Sequence, residues 1–169
     1  MKKITSTLLC LLALTLCLCS CQDKKNYRDD LSSDLVAGEM LHYVNIEGGC
    51  TTPDNDYVSL EFPNPSAVDG KVADWWIYAS ISSKTVDEFG VFHVKSGEDV
   101  QAVKSAVDEY VQYMKVRLEG YLKIYEPSEK AKLENAQVKV FGNYVVYTML
   151  SQDDTTAVYD MLDGYLEQK

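Results

Sequence analysis

The side chains able to do chemistry are few and scattered. Asp87 and Glu88 are adjacent carboxylates, and a carboxyl pair can divide general-acid and general-base work when its surroundings push the two pKa values apart. On a solvent-facing loop before a strand they would be only solvated. The chain has 2 histidines: His42 falls in a helical pattern, and His93 shares a strand face with Phe89 and Val91. Neither has a second His or Cys at ligand spacing. Asp54-Asn55-Asp56 resembles the start of a calcium loop, but the positions that need glycine and glutamate hold Ser59 and Pro65. A nucleophile elbow, a phosphate loop and a zinc-protease helix are all absent from the sequence. Cys50, in Gly48-Gly49-Cys50-Thr51, has no basic neighbour to activate it. The expectation is therefore no catalytic set, no metal and no cofactor. The most unusual residues are 12 tyrosines and the pair Trp75-Trp76. Aromatics with a polar tip suit contact surfaces, which makes Trp75, Trp76 and Tyr78 the candidate binding surface.

Cysteine chemistry of another kind stands at the N-terminus. Met1-Lys2-Lys3 is basic, and Ile4 to Leu18 is uncharged and largely apolar, the anatomy of an export signal. Leu18-Cys19-Ser20-Cys21 resembles a bacterial lipobox, with Cys21 the residue that takes the lipid. A diacylglyceryl group supplies the two chains needed for stable anchoring. The expected layout is a signal peptide over 1–20, a tether over 21–30 and one domain over 31–169. It places the chain on the extracytoplasmic face of the membrane. Loss of residues 1–20 removes Lys2 and Lys3 and no acid, moving the formal charge from -10 to -12. That balance excludes a nucleic-acid partner, because phosphate binding needs clustered cations.

The elements that must position these residues follow from periodicity. Leu31 to Val44 reads as a first helix capped by Ser32 or Ser33. Asn45 to Ala73, rich in Gly and Pro, reads as a long, partly extended connection. Trp75 to Ser82 and Phe89 to Val94 read as strands. Ser96-Gly97-Glu98-Asp99 opens the longest helix, with Val100, Val103, Val107, Tyr110, Met114, Leu118, Tyr121 and Tyr125 on one stripe and Pro127 at its end. Tyr110, Tyr121 and Tyr125 are thereby assigned to the core. After a short helical turn, Ser128 to Leu133, the stretch Val138 to Leu150 reads as a hairpin turning at Gly142-Asn143. Asp154 or Thr155 caps a last helix. The order is α-β-β-α-α-β-β-α: an α+β fold with an antiparallel sheet of about four strands and helices on one face.

Val86 to Lys95, Glu119-Gly120-Tyr121-Leu122, Leu133-Glu134-Asn135-Ala136 and Gly142-Asn143-Tyr144-Val145 together resemble the domain of unknown function 4358 over residues 74–168. The resemblance implies a lipid-anchored envelope protein of Gram-positive bacteria and brings no catalytic residues. The expected role is a non-catalytic binding or accessory module. Its partner would be an envelope protein, peptide or glycan. The alternative is an envelope hydrolase of cell-wall or peptide substrates using Asp87 and Glu88.

Overall fold

The computed structural model describes residues 25–168; the signal segment and lipobox, with Leu18, Cys19, Ser20 and Cys21, lie outside them. Five antiparallel strands form one sheet: β1 (Cys50–Thr51), β2 (Val72–Ser80), β3 (Glu88–Val94), β4 (Gln137–Phe141) and β5 (Tyr144–Met149). Their spatial order is β1-β2-β3-β5-β4. The helices are α1 (Ser33–Met40), α2 (Tyr57–Glu61), α3 (Val100–Tyr125), α4 (Lys130–Glu134) and α5 (Gln152–Leu166). The α+β antiparallel fold read from the sequence is the one observed. The added pieces, β1 and α2, come from the segment read as a connection.

The helices differ from expectation by covering both faces of the sheet. Register places Trp75, Ile77, Gly90, Phe92, Val145 and Tyr147 on one face, where they pack with Val103, Val107 and Tyr110 of α3 and Leu133 of α4. Trp76, Tyr78, Phe89, Val91, Tyr144 and Val146 lie on the other, against Val36 and Met40 of α1 and Val158 and Leu162 of α5. The central strands β3 and β5 are thus buried on both sides. Only His93 in them is less than fully buried. Each large apolar side chain so enclosed contributes about 1.5–3 kcal/mol.

Three local readings are also corrected. The cap of α5 is Ser151, whose Oγ accepts from Asp154 N at 3.1 Å and donates to Asp154 Oδ2 at 2.8 Å; Asp153 and Asp154 occupy the acidic first turn. Tyr110 is fully buried, but Tyr121 and Tyr125 are 44% and 66% exposed. In the same turns Leu122 is buried in the core, so the face that α3 buries near its end runs through Leu122 and leaves the two tyrosines outward. Residues 25–30, expected as tether, are docked. Tyr27 forms a bridge with Glu167, Arg28 N donates to Leu166 O at 2.9 Å, and the Tyr27 ring meets Phe141 edge-on at 5.6 Å. Burial and the neighbouring Asp163 push the Tyr27 hydroxyl up to about 12.

Candidate functional site

Two constellations hold the residues singled out from the sequence. The first is an open cleft of about 510 Å³ along the outer edge of β2, bounded by residues before and after that strand and containing both Trp75 and Trp76. Its cause lies in β1. Thr51 pairs with Ala79, and Ile81 N donates to Gly49 O at 3.2 Å. In that register Pro53 falls opposite Ile77, where an N–H is required, and proline has none. The chain leaves the sheet there and lines the cleft as Thr52, Pro53 and Asn55.

The two tryptophans point to opposite faces, as strand neighbours must. Trp75 stacks on Phe92 with centroids 6.5 Å apart and reaches a second hollow of about 350 Å³ beside Val58, Pro65 and Val68. Trp76 lies 6.3 Å from Tyr78, and its buried indole N–H has no partner among the described residues. Tyr78 packs at 5.5 Å on Phe89 and does not line the cleft. The cleft therefore brings together two of the three aromatics expected there. Both sheet faces being covered, these aromatics do not occupy a helix-free face; they meet the surface at the edge.

The second constellation surrounds Asp87 and Glu88, which are 2% and 5% exposed. They are buried, not displayed on a solvent loop. Lys132 Nζ lies 2.7 Å from Asp87 Oδ1, and Thr85 Oγ1 donates to Asp87 Oδ2 at 2.7 Å. Burial works to lower the Lys132 ammonium, but hydrogen bonds to Asp87 and Glu129 outweigh it and hold it above its ordinary value. Glu88 Oε1 accepts from Tyr147 at 2.6 Å and Tyr110 at 2.7 Å. Its Oε2 lies 3.1 Å from the Tyr57 hydroxyl, which is itself 2.7 Å from that of Tyr110. Burial raises the Glu88 carboxyl; the three hydroxyls pull the other way without cancelling it. Gly90 makes the cluster possible. A Cβ there would sit 2.4 Å from Tyr147 Cε1, so only glycine lets that ring lie across the strand.

His93 stacks on Tyr144 at 4.7 Å with Nδ1 3.9 Å from Asp74, and His42 sits exposed in the turn after α1. Burial raises the Cys50 thiol above its ordinary value, the direction that disfavours the thiolate. Among the described residues no group of His, Cys, Asp or Glu is arranged to hold a metal. Sequence reasoning missed Tyr57 and Tyr147 as partners of Glu88, and Pro53 as the residue that ends β1. The proline was visible; its register was not.

No curated protein and no solved structure matches the chain. Residues 69–150, which run from the rim of the cleft through β2, β3, α3, β4 and β5, match the family described as Domain of unknown function (DUF4358), so the resemblance read from the sequence is to a family that spans most of both constellations.

Proposed function

We propose that the chain is a lipid-anchored protein of the extracytoplasmic membrane face that binds an envelope partner without catalysis, through the cleft on the β2 edge. The observation that carries this reading is the coincidence of a cleft of about 510 Å³ with both tryptophans of the chain. The anchor itself rests on the sequence of the lipobox. Between Cys21 and Lys25 four residues of backbone reach at most about 14 Å. Lys25 pairs with Asp163 at the end of α5, so a lipid on Cys21 would hold that corner of the domain beside the bilayer.

A hydrolase would need a carboxylate free to meet substrate. Both oxygens of Asp87 and both of Glu88 are already engaged by protein groups, which weighs toward binding. The test is retention of the full-length protein, in detergent micelles, on immobilised envelope fragments. Retention that is lost in Trp75→Ala, with the far-ultraviolet spectrum unchanged, supports the reading. Equal retention of both proteins, or hydrolysis abolished by Glu88→Gln, would overturn it.

A further inference from the structure

The cleft lies along a sheet edge with unused hydrogen-bonding groups. Ser80 N donates to Asp87 O at 2.8 Å across the β2–β3 ladder. Because strand groups alternate in direction, Ser80, Tyr78 and Trp76 turn their N–H and C=O toward β3, and Ala79, Ile77 and Trp75 turn theirs outward. Thr51 takes up Ala79. Nothing among the described residues takes up Ile77 or Trp75. At the far end the register shifts between Val72 and Asp74, a bulge that ends the regular edge. The vacancy is therefore a strand position of a few residues, continuing the line of β1 and closed at one end by Pro53.

We propose that this edge takes up an extended, basic polypeptide segment as an added antiparallel strand, an inference that rests on the reading of the cleft as a binding site. Edge addition draws affinity from main-chain hydrogen bonds and specificity from pockets that receive alternate side chains. Both are present. On the Trp75 side, the hollow beside Val58 and Val68 offers an apolar pocket. The rim carries Asp69 and Asp74 against Lys95, whose Nζ is already turned to Gly70 O at 3.0 Å. Asp74, half exposed on the face of Trp76, has one carboxylate oxygen held by Ser33 N at 2.7 Å and the other 3.9 Å from His93 Nδ1, so it adds negative charge to the rim. Asp69, whose carboxylate makes no hydrogen bond or ion pair among the described residues, is the acid placed to meet a cation carried by an incoming strand. A second copy of this chain is disfavoured as occupant, since it would set its own Asp69 and Asp74 against the first pair on a chain of formal charge -10.

The two tryptophans are the only ones in the chain and both line the cleft, so intrinsic fluorescence reports occupancy directly. The probe is the capped heptapeptide Lys-Val-Thr-Val-Lys-Val-Thr, titrated into the full-length lipidated protein in micelles. Three further measurements use the unaltered protein: the same peptide N-methylated along one backbone edge, the peptide with Glu for Lys, and amide exchange read by mass spectrometry. The expected result is a saturable fluorescence change, at least about tenfold weaker binding for the N-methylated peptide, as a desolvated and unpaired backbone group predicts, and weaker binding again for the Glu peptide. Exchange should be fast at Trp75 and Ile77 and slow at Trp76 and Tyr78 in the free protein, with the first pair slowed by peptide. Equal binding of the parent and N-methylated peptides overturns strand addition while leaving the cleft as a binding site. A fluorescence change on dilution without peptide overturns it in favour of self-pairing. No peptide binding at millimolar concentration also overturns it, and Trp75-dependent retention on envelope fragments then decides separately whether the cleft binds anything.

Discussion

Glu88→Gln tests whether the centre of the domain holds a protonated carboxyl. Three short contacts join Glu88 to Tyr147, Tyr110 and Tyr57, at 2.6, 2.7 and 3.1 Å, and a fourth of 2.7 Å joins the Tyr57 and Tyr110 hydroxyls; each needs one hydrogen. The three hydroxyls bring three. The fourth is available if Glu88 carries its own proton on Oε2 and donates it to Tyr57, leaving Tyr57 to donate to Tyr110 and both remaining hydroxyls to donate to Oε1. Burial moves the carboxyl in the same direction. With the folded pKa above the unfolded one, the stabilising contribution of Glu88 is complete below about pH 4 and is lost as pH rises. The loss runs at up to about 1.4 kcal/mol per pH unit until the folded carboxyl ionises. Glutamine stays neutral throughout. Its amide replaces the Oε2 proton toward Tyr57 but brings a second N–H with no acceptor, a cost of about 1–3 kcal/mol at pH 4. The natural protein should therefore lead at pH 4, and its lead should shrink as pH rises. Urea unfolding midpoints in half-unit steps from pH 4 to 8 measure this difference. A gap that is flat across the range, or that widens with pH, would refute the proton count.

Gly90→Ala places a methyl group 2.4 Å from Tyr147 Cε1 and should cost about 1–3 kcal/mol, a drop of roughly 3–10 °C in Tm for a domain this size; a melt within a degree of the natural one would show that the ring can move aside. Lys132→Met leaves Asp87, 2% exposed, without its cation. The expected loss is about 3 kcal/mol, the low end for a broken buried pair because Lys132 is 20% exposed, and Asp87→Asn in the same chain should restore part of it in denaturant melts. Severing the exposed Lys130–Glu134 pair by Lys130→Met should cost less than about 1 kcal/mol, so equal effects at the two lysines would contradict the burial argument. Cys21→Ala should shift the protein from the membrane to the soluble or unprocessed fraction on sedimentation. An unchanged partition would remove the lipid anchor from the proposed function.

The helices and the hairpin were legible because their cues are local. The stripe from Val100 to Tyr110 fits a period of 3.6, and Gly142 adopts φ +59° where a two-residue loop demands it. The second covering layer was missed although a cue was present. Phe89 to Phe92 and Tyr144 to Leu150 are nearly unbroken apolar runs, and a sheet solvated on one side should alternate. The tyrosine cluster around Glu88 was not legible in the same way. Tyr57, Glu88, Tyr110 and Tyr147 come from four separate elements, and only tertiary pairing makes them neighbours. Asp87 and Glu88 were noticed for their chemistry, but adjacency in sequence carries no information on whether each will find its own partner. The cleft falls between these cases, since the tryptophan pair is conspicuous while the register that empties the strand beside it is not.

The two lateral edges of the sheet are treated differently, and the difference bears on where a partner can act. Helices close both faces, so among the described residues the sheet's unpaired main-chain groups lie along β4 at one side and along the short β1 and the part of β2 beyond it at the other. The β4 edge is short and carries exposed Lys139 at its middle, with the ammonium seated 4.3 Å over the Tyr159 ring. A lysine on an edge strand opposes further pairing. Along β2 the central side chains are Trp75, Trp76 and Ile77, no lysine lies within the strand, and the chain's own strand is stopped by Pro53. Protection against indiscriminate pairing is retained there by the bulge at Val72 to Asp74 and by the acidic rim, which restrict what can enter to a short segment of complementary charge. An edge left open but length-limited and charge-selected is the feature expected of a surface that receives a strand.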